Sequence, residues 1–263
     1  MLHTGPGAYV IIAARPSTGK TALALQLGLS ICQSRRVGFY SLETVPEVAA
    51  DRIAAARLGL SLARIKDRSF TMADMQATAS RMAGDQALRG SFDFITAGSM
   101  TVADIRAMAL AKRHEVVMID YVQLIRPTVR GDRTEQMQQV SMELRAMAQT
   151  TGVVVVALAQ LRRPDTQGKA KAPTMADLKE SGQFEQDADS ILLMYLEDAG
   201  SRQSDRFIKI EKNKEGYAGF RGRYRFDGSR QTFTAVDADG KPIQAKLEEA
   251  DEQMELPEPP AGW

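Results

Sequence analysis

One stretch limits this chain more than any other: "VIIAARPSTGKTALALQL", Val10 to Leu27. An apolar run stops at Ala14, a short polar loop follows, and Gly19-Lys20-Thr21 opens a second apolar-spaced run. A strand, a glycine-bearing loop and a helix in that order form the setting of a phosphate-binding loop, whose usual pattern is G-x-x-x-x-G-K-[ST]. The backbone N–H groups of such a loop and the start of its helix cradle phosphates. Lys20 would reach the outer phosphates and Thr21 would ligate Mg²⁺. The candidate nucleotide-binding residues are therefore Ala14, Arg15, Pro16, Ser17, Thr18, Gly19, Lys20, Thr21 and Ala22. The first glycine of the pattern is absent, and Ala14 stands in its place. A small residue there still permits a tight turn if its φ stays negative.

The rest of the chain repeats the same alternation. Short apolar runs at Ala8–Ala13, Val37–Glu43, Phe92–Ala97, Val116–Asp120, Val153–Gln160 and Ser190–Tyr195 read as strands. Helical spacing fills several of the gaps, at 20–33, after Glu47, at 102–113 and at 133–151. Buried strands alternating with helices predict an α/β fold with a mostly parallel sheet covered on both faces. After Tyr195, "RFIKIEKNKEGYAGFRGRYRFDG" alternates with glycine breaks. It predicts antiparallel hairpins added to the sheet edge at the C-terminal end. The expected domain spans residues 1–240. The segment 241–263 is expected to be a disordered, acidic, Pro-rich tail, since "EEADEQMELPEPPAGW" holds six acids, three prolines and no base.

Composition narrows the chemistry. A net charge of +1 does not advertise a nucleic-acid binder, yet leaves room for a local basic stripe. Aromatics make up only 6%, which argues against a surface that stacks many bases. A single cysteine, Cys32, excludes an intrachain disulfide and a cysteine metal cluster, and suits a reducing cytoplasm. No apolar run approaches the roughly 18 residues of a membrane span. The two histidines, His3 and His114, lie far apart and read as structural.

In open parallel sheets, ligands sit at the carboxyl ends of the strands. Asp120 ends one apolar strand and would hold magnesium, through water. Glu43 ends another, where a buried carboxylate beside the γ-phosphate can orient and activate the attacking water. Helix N-capping in "SLET" is the other role open to it. Gln160 ends a third strand, where it can sense the γ-phosphate or simply close the strand with a hydrogen bond.

Taken together, these strings resemble the RecA-like motor domain of replicative helicases of the DnaB family. "ARPSTGKT" is similar to that family's loop, in which Ala commonly takes the first glycine position. "FYSLET" places Glu43 at the catalytic glutamate. "MIDYVQLI" resembles the magnesium-site segment, with Asp120 and Gln123, and "VVVVALAQLRR" carries the sensor Gln160. "DLKESGQFEQDAD" is similar to the family's loop that faces a central channel and grips single-stranded DNA, which implies DNA contacts at Lys179, Glu180 and Gly182. "EKNKEG" resembles the segment that projects a basic pair into a neighbouring subunit's ATP site, here Lys212 and Lys214. Arg130 and Arg133 in "RPTVRGDRTEQ" would add a second channel-facing loop or else form a solvated helix start.

The resemblance covers about Gly7 to Phe233. It implies a RecA-like P-loop ATPase core and an ATP- and Mg²⁺-dependent, DNA-stimulated helicase. It also implies a homo-oligomer, a hexameric ring around single-stranded DNA, acting in the cytoplasm of a bacterium or of a phage's host. Two departures qualify it. The family usually has Arg where Lys214 stands, and Lys is a point charge without Arg's planar fork, so slower hydrolysis or looser coupling is expected. The family's helical N-terminal domain and linker helix have no room before Gly7, so ring formation is in doubt and primase contact through that domain is expected to be absent. The chain then reads as a motor fragment or a minimal helicase. A RecA- or RadA-like recombination ATPase and a non-enzymatic, nucleotide-gated assembly module are the alternatives.

Overall fold

The computed structural model describes residues 5–84, 91–162, 172–178, 182–198 and 201–243. The chain runs β1 (Tyr9–Ala14), α1 (Lys20–Ile31), β2 (Val37–Ser41), α2 (Pro46–Leu58), α3 (Leu62–Lys66), α4 (Met72–Gly84), β3 (Phe92–Thr96), α5 (Val102–Lys112), β4 (Val116–Asp120), α6 (Arg133–Thr151), β5 (Val154–Gln160), α7 (Gly182–Asp187), β6 (Ser190–Leu196), β7 (Arg206–Asn213), β8 (Arg221–Asp227) and β9 (Thr232–Val236). Among the described residues these strands form one sheet in the order β3-β2-β4-β5-β1-β6-β7-β8-β9. Pairing is parallel from β3 to β6 and antiparallel from β6 to β9.

The predicted α/β sheet with an antiparallel edge extension is therefore present. The parallel strands read as unbroken apolar runs because both faces are covered. In β1, Tyr9, Ile11 and Ala13 face a core with Ile105 of α5, Val140 and Leu144 of α6, and Phe184 of α7. Val10, Ile12 and Ala14 face the opposite core with Leu23 and Leu25 of α1, Phe39, Met118 and Leu158. Side chains alternate faces along a strand, so one strand feeds two cores.

The helix limits follow local chemistry. Asp132 and Glu135 form a reciprocal capping box at the start of α6, and Gly152, at φ 73°, ends it in the left-handed region. Thr101 and Asp104 cap α5 in the same way. Several bounds differ from the sequence reading by a residue or two. β1 is shifted by one residue, α1 stops at Ile31, β3 at Thr96, β5 begins at Val154 and β6 runs on to Leu196. β2 stops at Ser41: the Leu42 N–H gives the last rung of the ladder, to the Asp120 carbonyl at 2.8 Å, and the bonds between Ser41 Oγ and Thr44 then turn the chain. Helices α3 and α4 have no counterpart in the sequence reading. α3 is only five residues long and holds no buried residue, too short to show a helical period. Most of the acidic tail, 244–263, lies outside the described residues.

Candidate nucleotide site

β1 is buried from end to end and delivers the loop 15–19 to the carboxyl edge of the sheet. Ala14 is 1% exposed and sits between Gln160 of β5 and Met194 of β6. It keeps a negative φ, as its role required; the left-handed residues of the loop are Ser17 at φ 62° and Gly19 at φ 104°. Thr18 is buried and its hydroxyl donates to the Arg15 carbonyl at 2.8 Å, which closes the loop on itself. At Gly19 a Cβ would lie 3.0 Å from Cζ of Phe233, so both conformation and space call for glycine. α1 then starts without a side-chain cap and without an acid in its first turn. Its first N–H groups and the positive end of its dipole are left for an anion.

Three side chains meet at the head of α1. Asp120 ends β4 and is fully buried. Its Oδ2 accepts from the Thr21 hydroxyl at 2.7 Å, and its Oδ1 lies 3.8 Å from Lys20 Nζ. That Oδ1 is buried and has no hydrogen-bond partner among the described residues. A buried carboxylate oxygen without a donor is costly, and a cation or its water shell would satisfy it. The pair Thr21 and Asp120 therefore fits a hard divalent ion that keeps some of its own waters. Lys20 Nζ also lies 4.4 Å from the ring centroid of Tyr121. Burial pushes the Lys20 ammonium below the usual lysine range, while Asp120 and Glu43 pull it back up. Glu43 and Asp120 likewise help burial to raise the Tyr121 hydroxyl.

Glu43 lies in the turn after β2, and it is exposed rather than buried. The turn is closed by Ser41, whose Oγ accepts from the Thr44 N–H and donates to the Thr44 carbonyl. Helix capping by Glu43 is ruled out, since the N-cap of α2 is Val45, with no side-chain cap bond. Gln160 ends β5 beside Ala14, and both polar groups of its backbone are held by one side chain. Gln123 accepts from the Gln160 N–H at 3.1 Å and donates to the Gln160 carbonyl at 3.0 Å. Arg133 in turn donates to the Gln123 carbonyl, so it is tied to the rim of this site. Arg130 is exposed.

Lys212 and Lys214 stand elsewhere. In the sheet register, Asn213 of β7 pairs with Ser190, while the phosphate-loop end of the sheet is marked by Met194 beside Ala14. Four residues of strand separate these levels, roughly 14 Å at about 3.4 Å per residue. Lys212, level with Ile191, stands three residues or roughly 10 Å from the Met194 level, and Lys214 lies beyond Asn213, so both stand away from their own chain's phosphate loop. Lys212 Nζ donates to the Glu185 carbonyl at 2.5 Å, at the end of α7. Burial lowers its pKa, and Lys214 adds to that. Lys214 Nζ pairs with Asp189 at 3.1 Å, and Arg145 pairs with the same carboxylate. Burial works against the Asp189 charge. Bonds from the Tyr9 N–H, Lys214 and Arg145 nevertheless hold its pKa below the usual carboxylate range. Of the candidate DNA contacts, Gly182 opens α7, and Lys179 and Glu180 lie outside the described residues.

The family described as "DnaB-like helicase C terminal domain" matches residues 4–235. The chain belongs to that family. Among curated relatives of this DnaB-like domain is a protein named "Probable plasmid replicative DNA helicase" from Chlamydia trachomatis. It is 34% identical over 237 residues, covering 88% of this chain and 51% of that protein. Another, named "Replicative DNA helicase DnaB", from Geobacillus stearothermophilus, is 32% identical over 222 residues, covering 80% of this chain and 48% of that one. The chain thus spans about half the length of the curated relatives it matches. Among solved structures, one described as an ATPase domain superposes with a TM-score of 0.80 at 30% identity, over 89% of this chain and 86% of that one. "The Structure Of A DnaB-Like Replicative Helicase And Its Interactions With Primase" gives a TM-score of 0.79 at 31% identity, over 87% of this chain and 57% of that one. The sheet is thus that of the DnaB-like ATPase domains, with its antiparallel strands at one edge.

Proposed function

We propose that this DnaB-like domain is an ATP-driven motor that moves along single-stranded DNA and unwinds duplex, with each ATP site shared between two copies. One observation carries the reading. The phosphate loop with Thr21 and Asp120 occupies one end of the sheet, and Lys212 and Lys214 occupy the other. A site with all its parts in one chain would not be divided in this way, whereas copies arranged head to tail would join the two halves.

Within the shared site, the phosphate loop and the start of α1 take the phosphates, and Lys20 faces the outer ones. Thr21 and Asp120 hold Mg²⁺, which when bound offsets charge on the phosphates. Glu43 stands where a carboxylate can orient the attacking water, and its exposure leaves it open to one. Gln160 reports on the γ-phosphate. Lys212 and Lys214 of the adjoining copy supply positive charge from across the interface. The segment at Lys179, Glu180 and Gly182, with Arg130, is assigned to the DNA backbone, which implies little sequence preference. Arg133 is assigned to the same strand, although its guanidinium donates to the Gln123 carbonyl at the rim of the nucleotide site. A hexameric ring is the assembly that fits, and the bacterial relatives favour the cytoplasm of a bacterium, or of a phage's host. Neither the recombination nor the assembly-module alternative is favoured, because the matched family is that of the DnaB-like helicases.

The test is a steady-state ATPase assay with and without single-stranded DNA across a range of protein concentrations. Specific activity should rise with protein concentration, because each site needs two copies. Glu43→Gln should keep nucleotide binding and lose about a hundredfold or more in turnover. Absence of turnover at every concentration would sink the motor reading.

A further inference from the structure

The floor of the phosphate loop is made by the antiparallel extension, and a buried cation sits in it. Arg206, the first residue of β7, is 3% exposed. Its Nε donates to the Thr18 carbonyl at 3.3 Å, within the phosphate loop. The guanidinium also donates to the Ser204 carbonyl, and to the Arg202 carbonyl at 2.8 Å. Its central carbon lies 4.8 Å from the ring centroid of Phe226. That ring packs on Phe233 at 4.6 Å, and Phe233 is the ring facing Gly19.

The nearest acid in sequence, Asp205, is engaged by Arg223 at 3.0 Å and by Arg225 at 3.4 Å. Among the described residues, three carbonyls and a ring hold Arg206, with no carboxylate in ion-pair contact. An arginine stays protonated at working pH. Burying such a charge is costly unless the surroundings use it. Here it lies against the backbone of a loop whose own cations are Arg15 and Lys20. Donation to the Thr18 carbonyl also polarises the Thr18–Gly19 peptide, which makes the Gly19 N–H a stronger donor.

We infer that Arg206 is a positioning residue of the nucleotide site: it fixes the Thr18–Gly19 peptide and adds positive charge beneath the phosphates of a bound nucleotide. The inference rests on reading the loop as an ATP site. It extends that site from the parallel sheet into the hairpin extension. β7 then has a task at each end, with Arg206 at its own chain's loop and Lys212 and Lys214 at the far side.

The experiment measures affinity for a fluorescent ADP analogue, and KM and kcat for ATP, on the full chain and on Arg206→Met and Arg206→Lys. Melting curves without nucleotide accompany each. Arg206→Met should weaken nucleotide affinity about tenfold and raise KM, with kcat at saturation within about twofold of wild type. Arg206→Lys keeps the charge and loses the fork, so about a threefold loss is expected. Should Arg206→Met fail to fold, Arg206→Lys decides the matter. Wild-type affinity in a folded variant overturns the inference, and so does a lowered melting temperature with unchanged affinity. A wild-type chain that binds no ADP would instead overturn the ATP-site reading itself, before any variant is compared.

Discussion

The two ends of the sheet are built differently. At the carboxyl end of the parallel strands, Asp120 is fully buried, Thr18 is 2% exposed, and the loop is closed by its own hydrogen bonds. At the far end of β7, Lys212 and Lys214 rest on two backbone carbonyls and a partly exposed carboxylate. Buried groups in fixed geometry cost no reorganisation when charge develops near them. Lys214, exposed and held by an ion pair worth less than about 1 kcal/mol, is cheap to release. One end is finished and the other is held in readiness. That contrast agrees with the proposal of a site divided between two copies.

The sharpest way to break the comparison is at the finished end. Asp120→Asn keeps the volume and removes the charge that faces Lys20, and the orphaned Oδ1 with it. Turnover should fall about a hundredfold or more at saturating ATP and Mg²⁺. Activity within about threefold of wild type would show that the Thr21–Asp120 pair holds no metal.

The far end should give a smaller effect of a distinct kind. Lys214→Ala should lower turnover about tenfold while nucleotide binding to the separated chain stays unchanged. Lys214→Arg should equal or exceed wild type. Unchanged turnover in the alanine variant, or a lower rate in the arginine variant, would remove Lys214 from the site.

The smallest effect lies in neither end, and serves as the baseline. Asp227 closes the β8–β9 turn, accepting from Ser229 and Arg230. Led by the Ser229 hydroxyl, these bonds push its pKa down to about 2. A depressed carboxylate stabilises the fold above its unfolded pKa and loses that contribution as pH falls. Stability should therefore decline between about pH 4 and pH 2. Asp227→Asn should flatten this part of an acid titration followed by circular dichroism and leave ATP turnover at neutral pH untouched. An acid limb identical to wild type would show that the turn contributes nothing.

How much of this was legible in the sequence follows the same division. The finished end is local. Strand, loop and helix are contiguous from Tyr9 to Ile31, and Asp120 shows itself as an acid closing an apolar run. The parallel strands were legible because burial on both faces leaves little room for polar residues. What stayed hidden is non-local or faces water. The bond from Arg206 to Thr18 joins residues 188 apart, and "RFIKIEK" gives no sign that its first residue points under a loop. In the sequence Gln123 stands out only within "MIDYVQLI"; its two bonds to Gln160 depend on β4 and β5 lying side by side. The exposure of Glu43 follows from β2 ending at Ser41, two residues before the expected strand end.

Gln26 of α1 donates to the Phe233 carbonyl at 3.0 Å and accepts from the Phe233 N–H at 2.7 Å. That exchange of two bonds attaches β9, the last strand, to the helix that begins at the phosphate loop. A piece of the chain cut after β6 would contain every residue of the nucleotide motif and still lack the surface on which the loop lies. A polypeptide that keeps the loop on this surface therefore has to run through Val236, well past the last strand that the motif itself marks.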